Sequence, residues 1–288
     1  GADEIQGVLT TEEALAVIDQ IRATGTPVVV LSGGEPLMRD DLCGIARYGT
    51  EQGLRMVMGT SGYLLDRPMA ARLRDAGIRS VAVSLDSTDP DIHDAFRGAS
   101  GTWEKAVQAI RNCRDEGMGV QINTTMMRPS AADVGSVVDF GKSLGVKDYQ
   151  VFFPVPTGRA QDAGGPDPRQ HEEVIRQVLL KYRDGSVNLR PTCAPQFRRI
   201  ASDLGIYNPA WGRGCIAGIS YCRIYANGDV TPCPYLPVSA GNVRTTPFQD
   251  IWYHSPVFAA LRDPDLLTGK CGRCEYKILC GGCRARAY

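Results

Sequence analysis

The sequence predicts an α/β protein in which parallel strands alternate with helices, followed by a smaller cysteine-rich domain. Three observations carry this. Short apolar, β-branched runs recur between amphipathic stretches from residue 10 to about 155, glycines close most of those stretches, and eight of the ten cysteines fall after residue 190.

The apolar runs are TPVVVLS (26–32), RMVMGT (55–60), SVAVSLD (80–86), VQINTT (120–125) and YQVFFPV (149–155). Each is short and nearly continuous in apolar character, which suits a parallel strand buried on both faces. Helical patterns separate them: TTEEALAVIDQIRATG, RDDLCGIARYGTEQG, RPMAARLRDAG, GTWEKAVQAIRNCRDEG and SAADVGSVVDFGKSLG. Gly25, Gly53, Gly77 and Gly145 stand where a helix C-cap is needed before the next strand. Strands joined in this way close into a barrel or form an open doubly wound sheet, with the ligand site at their C-terminal ends in either case. SGGEP, GTSG, SLD and NTT follow the first four runs, so the candidate site residues share one rim. A further helix pattern, PRQHEEVIRQVLLKYRDG, follows the lid or connector TGRAQDAGGPDP. After about residue 185 the segments become short and irregular. The expected domains are therefore 1–184 and 185–288.

Lys+Arg and Asp+Glu are both 32 in 288 residues, so bulk charge points to neither nucleic acid nor a membrane surface. No apolar run approaches the roughly 20 residues that span a bilayer, and GADEIQG has no signal pattern. A cytoplasmic protein is expected. Secreted disulfide scaffolds are usually small, so ten cysteines in so long a chain, skewed to one end, read instead as a ligand cluster. Cys43 and Cys113, alone within helical patterns, read as ordinary buried thiols.

In LSGGEPL, glycines after a strand let the backbone approach a ligand, and Glu35 can hold an ammonium group; the plainer reading is a turn. Ser84 and Asp86 suit a ribose, or Asp86 caps the next helix. The tail places Cys271, Cys274, Cys280 and Cys283 at C-x2-C-x5-C-x2-C, preceded by Cys215, Cys222 and Cys233. That is too many ligands for one tetrahedral zinc and, with Cys193, enough for two four-ligand centres. Four-cysteine zinc sites use the same knuckles, so spacing alone leaves zinc and iron–sulfur open. His93, His171 and His254 read as surface or structural residues.

The order SGGEP, TSG, SLD, FRG, QINTT, then G-x4-C and C-x2-C-x5-C-x2-C resembles the radical S-adenosylmethionine (SAM) enzymes with a C-terminal SPASM domain. Cys215, Gly228, Cys233, Cys271, Cys274 and Cys280 match the SPASM pattern, and Cys283 comes one residue early. FFPVPTGRA, CRIYANGDVTPCPYLPVSAGNV and KCGRCEYKILCGGCRARAY look most like the haem-forming and haem d1 branch. The resemblance implies a partial (β/α)6 TIM-type barrel with a C-terminal cysteine-rich SPASM domain. It implies SAM, a [4Fe-4S] cluster that cleaves it, and one or two auxiliary iron–sulfur clusters. Gly33, Gly34, Glu35 and Pro36 would hold the methionyl amino group, Ser84 and Asn123 the ribose or carboxylate, and Arg97 a carboxylate, while Thr60 and Gly158 shape the pocket. The auxiliary ligands would be Cys215, Cys233 and Cys283 in one set, completed by Cys222 or Cys193, and Cys271, Cys274 and Cys280 in the other. The implied substrate is an iron coproporphyrin whose propionates become vinyls, with Arg39, Arg128, Arg159 and Arg213 as their cations and a flavodoxin or ferredoxin as electron donor.

Two departures stand out. The family's C-x3-C-x2-C loop is absent, since the first cysteine is Cys43, so that loop and the first strand are expected upstream of Gly1 and a last SPASM cysteine beyond Tyr288. Ser61 replaces the common Asn of TNG. Two rival readings remain: a SPASM maturase that modifies a ribosomal peptide, and a non-enzymatic, zinc-stapled binding protein.

Overall fold

The structure, a computed structural model, describes residues 7–126, 131–157 and 167–288. Six parallel strands form one sheet in sequential order: β1 (Val28–Leu31), β2 (Arg55–Thr60), β3 (Ser80–Ser84), β4 (Gly119–Thr125), β5 (Asp148–Phe152) and β6 (Asn188–Thr192). Its helices are α1 (Thr11–Ala23), α2 (Leu42–Glu51), α3 (Arg67–Asp75), α4 (Pro90–Arg97), α5 (Thr102–Asp115), α6 (Ala131–Ser143) and α7 (Pro168–Lys181). Sequential order with a helical crossover at each step is the signature of a barrel wall. β1 and β6 are its two edges.

The local signals fold as their chemistry dictates. α1 opens on a capping box in which Thr10 accepts from Glu13 N while Glu13 accepts from Thr10 N. Asp66, Asp89 and Asp167 cap α3, α4 and α7, each with proline in the first turn. Gly25, Gly53, Gly77 and Gly145 all adopt positive φ, as their C-cap positions require. Gly77 is further fixed by space, because a Cβ there would come within 2.3 Å of Thr50 Oγ1.

Burial corrects the expectation that the strands are covered on both faces. Met56, Met58, Val81, Val83, Ile122, Tyr149 and Val151 are buried on the helix side. The alternate residues Val57, Gly59, Ala82, Ser84, Gln121, Asn123, Gln150 and Phe152 are only half-buried. The inner wall of a barrel is a binding surface, so polar side chains persist there while the outer face packs like a core. A second finding is β6, which lies past the expected division at residue 184 and pairs with β5 from Asp148–Asn188 to Phe152–Thr192.

The remainder is compact but irregular: α8 (Phe197–Asp203), a small antiparallel sheet of β7 (Arg223–Ile224), β8 (Asp229–Thr231) and β9 (Gly241–Asn242), then α9 (Phe248–His254), α10 (Pro256–Arg262), α11 (Gly269–Gly272), α12 (Lys277–Cys280) and α13 (Arg284–Ala287). It folds back on the first helix. Val17 and Ile21 of α1 share a buried cluster with Val230, Val243, Phe248, Ile251 and Phe258. Arg244 clamps the Glu13 carboxylate with two hydrogen bonds of 2.7 Å.

Candidate functional site

The rim at the C-terminal strand ends is organised by one carboxylate. Glu35, after β1, accepts from Thr60 Oγ1 at 2.7 Å and from Leu37 N at 3.3 Å through Oε1, and from Ser61 N at 2.9 Å and Ser61 Oγ through Oε2. Glu35 is therefore committed to holding the SGGEP loop against the end of β2, and the serine at position 61 supplies two of the donors. Thr60 is buried. With Glu35 engaged and Pro36 buried in a 3-10 turn, Gly33 and Gly34 are the exposed part of the loop. Gly33 has φ 153°, and neither glycine has any atom near the place a Cβ would take. Ligand atoms can approach that backbone closely.

Ser84 and Asn123 are paired neighbours at the ends of β3 and β4. Asn123 Oδ1 accepts from Gln121 Nε2 at 2.7 Å. Both lie on the inner wall. Asp86 does not cap α4, a task that falls to Asp89. It is buried and accepts from Thr125 N at 2.8 Å and from Arg97 Nε and Nη2 at 2.7 and 2.6 Å. Arg97 is thus a structural partner of Asp86 at this rim. His93 is buried beside them, and its Nδ1 accepts from Asp86 N at 3.1 Å; burial holds its pKa below the ordinary histidine value, against the pull of the Asp86 charge.

Among the arginines expected to meet propionates, Arg39 forms two hydrogen bonds to Asp41 and one to Leu9 O. Arg213 lies beside Cys215 and Gly281. Arg128, Arg159 and Gly158 lie outside the described residues.

The eight late cysteines divide into three groups. Cys193, Cys233 and Cys283 pack around Val155, Leu236 and Ala285, and Cys215 interacts electrostatically with Cys193, Cys233 and Cys283. Cys215 N also donates to Cys280 O at 2.9 Å, which ties this group to the tail. Burial pushes the Cys193 thiol up to about 12, with the Cys283 and Cys233 thiols adding to the shift. Four thiols grouped in this way are donors that a metal centre would deprotonate and bind. Cys271, Cys274 and Cys280 form a second group, Cys271 being exposed. Cys222 stands apart beside Arg262 in the cluster that packs on α1. Cys113 is buried and its thiol is pushed up to about 12 by burial alone, as an ordinary core thiol would be.

Cys193 is the least expected member. It follows β6 directly and is, among the described residues, the one non-glycine with positive φ, 60°. Arg286 fastens it by donating through Nη2 to the carbonyls of Cys193, Phe153 and Pro154 at 3.2, 3.2 and 2.7 Å. The barrel's last strand and the chain's last helix therefore meet at this thiol.

The Radical SAM superfamily profile matches residues 2–140, and that of SPASM, an iron–sulfur cluster-binding domain, matches residues 215–275. The chain is 42% identical over 293 residues to an AdoMet-dependent heme synthase of Methanosarcina barkeri, covering 98% of this chain and 84% of that one. It belongs to the family of the AdoMet-dependent heme synthases. A second member, from Nitratidesulfovibrio vulgaris, is 39% identical over 297 residues, covering 98% of this chain and 80% of that one. In fold, the chain is similar to Streptococcus suis SuiB bound to S-adenosylmethionine, with a TM-score of 0.72 at 18% identity over 94% of this chain and 65% of that one.

As a radical SAM protein of this family, the chain has SAM and iron–sulfur clusters as its cofactors. The residues present fit both. The open glycine backbone and polar inner wall suit SAM, and the half-buried thiols of Cys193, Cys215, Cys233 and Cys283, although among the described residues no three such side chains are placed to hold a single metal ion, are the donor type that a cluster takes. The match to an iron–sulfur domain sets the zinc-stapled reading aside. The 288 residues contain no C-x3-C-x2-C triplet. Among the described residues no helix is long and apolar enough to cross a membrane.

Proposed function

We propose that this protein is a haem synthase that converts two propionates of an iron coproporphyrin into vinyls. The observation that carries this reading is the 42% identity to a heme synthase across 98% of the chain, together with a rim and thiol quartet suited to the cofactors such an enzyme needs. When bound, SAM would supply on reductive cleavage a 5′-deoxyadenosyl radical able to take a hydrogen atom from the propionate β-carbon. The residues of this chain bind, orient and shield. Gly33 and Gly34 present backbone to the methionyl end, and Ser84 and Asn123 present hydroxyl and amide from the inner wall. Glu35, Thr60 and Ser61 fix the loop, while Asp86, His93 and Arg97 brace the rim beneath it. Gly158 belongs to the same pocket in this reading.

Cys193, Cys215, Cys233 and Cys283 are the proposed ligands of one auxiliary cluster, and Cys271, Cys274 and Cys280 serve another. We assign propionate recognition to Arg128 and Arg159, because buried carboxylates beside an apolar macrocycle need cations. Arg39 is left out of that set, being engaged by Asp41. A flavodoxin or ferredoxin would deliver the electron that cleaves SAM. Ten free cysteines suit a cytoplasm that keeps thiols reduced.

The test is turnover of the full-length, anaerobically reconstituted protein with SAM, reductant and iron coproporphyrin. The expected products are 5′-deoxyadenosine and a tetrapyrrole lighter by two formic acid units, since each propionate loses CO2 and two hydrogens. The substrate should bind more tightly than its tetramethyl ester, and Arg159→Ala should weaken that preference. Formation of 5′-deoxyadenosine with no change in tetrapyrrole mass, alongside modification of a ribosomal peptide, would replace this reading with the peptide maturase.

A further inference from the structure

Four arginines surround the thiol quartet without a carboxylate among them. Arg190 lies on β6, Arg213 precedes Cys215 by two residues, and Arg284 and Arg286 follow Cys283. Elsewhere the partly buried Arg39, Arg97 and Arg199 each pair with an acid, and Arg198 and Arg262, which do not, lie over the rings of Trp211 and Trp252; none of these four forms an ion pair among the described residues. Partly buried positive charge with no counter-ion calls for an anion. A cluster held by four thiolates is one.

Two of the four still have a donor to give. Arg286 is engaged by three carbonyls, and Arg190 donates to Arg213 O at 3.1 Å. The Nε–H groups of Arg213 and Arg284, by contrast, are buried with no hydrogen-bond partner. Each adjoins a proposed ligand along the chain, Arg213 two residues before Cys215 and Arg284 directly after Cys283. Access for Arg213 is provided by Gly281 between Cys280 and Cys283, where a Cβ would come within 2.7 Å of Arg213 Nε. The tail therefore bends at a glycine, φ 78°, where this guanidinium enters.

We propose that Arg213 and Arg284 donate these N–H groups to the sulfur atoms of the cluster held by Cys193, Cys215, Cys233 and Cys283, and so raise its reduction potential. The inference rests on the ligand assignment proposed above. Its consequence is a place for the electron that the chemistry releases. Once the β-carbon has lost a hydrogen atom, cleavage of the carbon–carboxylate bond gives vinyl and CO2 and leaves one electron. Reduction of the cluster by that electron balances the step without a further co-reactant. Because reduction adds negative charge, cations and N–H donors beside the cluster favour the reduced state. Arg213 thereby moves from a substrate role to an electronic one.

The experiment is a redox titration of the full-length, anaerobically reconstituted protein, followed by electron paramagnetic resonance, with iron and acid-labile sulfide measured alongside. The relevant signal is the one lost in Cys233→Ser. Arg213→Gln and Arg284→Gln should each retain iron and sulfide and lower the equilibrium constant for reducing that cluster at least tenfold, about 59 mV for one electron. Arg213→Lys, which keeps the charge, should recover part of the shift. Intact clusters with unchanged potentials in both glutamine variants would overturn the proposal. If Arg213→Gln loses the cluster, Arg284→Gln and Arg213→Lys decide it by the same criterion. No loss of iron or sulfide in Cys233→Ser would instead remove the ligand assignment, a failure distinct from that of the arginine role.

Discussion

Glu35 Oε1 and Thr60 Oγ1 lie 2.7 Å apart across the mouths of adjacent strands β1 and β2. That contact, with the two Ser61 donors, makes the carboxylate a fixture of the SGGEP loop. Hydrogen bonds to a charged group are worth about 1.5–3 kcal/mol, and a tenfold change in affinity is about 1.4 kcal/mol. Glu35→Ala should therefore weaken SAM binding about tenfold or more, and Glu35→Gln less. Calorimetric titration of SAM into the reconstituted protein checks this; unaltered affinity in Glu35→Ala would show that the loop is held by something else.

Arg97 is expected to act on stability first. Its two nitrogens neutralise Asp86, whose side chain is fully buried, while Arg97 itself is 29% exposed. Removing one partner of a buried pair strands the other, and solvent screening discounts the effect here. Arg97→Ala should cost about 2 kcal/mol in urea unfolding. A variant of full stability with weakened SAM binding would favour a carboxylate-partner role for this residue.

His93 makes that same network sensitive to acid. Its folded pKa is depressed by burial, although the Asp86, Asp94 and Glu104 charges pull the other way and Arg97 assists the depression. For a base so shifted, the unfolded chain takes up the proton first. The contribution to stability is full above the unfolded value, about 6.5, and is lost as pH falls below it toward the folded value. Unfolding midpoints should drop as pH falls below about 6.5 in the wild type. His93→Gln should flatten part of that slope, leaving the part due to His171, which burial also shifts downward.

The fold was legible where side-chain chemistry acts locally. The glycines at 25, 53, 77 and 145 and the apolar runs of β1 to β5 are decided by backbone sterics and by burial of one face. β6 was not legible, because NLRPT carries a proline and only one large apolar side chain; as an edge strand it tolerates both, and its recognition comes from pairing with β5. The rim was legible as a place, since strand ends converge, but the roles within it were not. Whether Glu35 or Arg97 faces a ligand or a neighbour depends on Thr60, Ser61 and Asp86, which are distant or unremarkable in sequence. The surroundings of Arg213 were hidden for the same reason: nothing local to it reveals its approach to Gly281.

Cys193 and Cys222 offer the sharpest test of the ligand set, because spacing left them equivalent and packing separates them. Cys193 shares a cluster with Cys233 and Cys283, and its backbone is held in a left-handed conformation by the end of β6 and by Arg286. A non-glycine residue keeps such a conformation at a cost of about 1–3 kcal/mol, usually where function depends on it. Cys222 packs instead beside Ile224, Phe258 and Leu261, and burial pushes its thiol up to about 12 with only Arg262 opposing. Cys193→Ser should therefore remove about four iron atoms with their sulfide from the reconstituted protein, whereas Cys222→Ser should retain them and lose only packing. Iron analysis with Mössbauer spectroscopy of the two variants decides between them. The reverse pattern would move the fourth ligand to Cys222 and break the direct link between the cluster and the barrel's last strand.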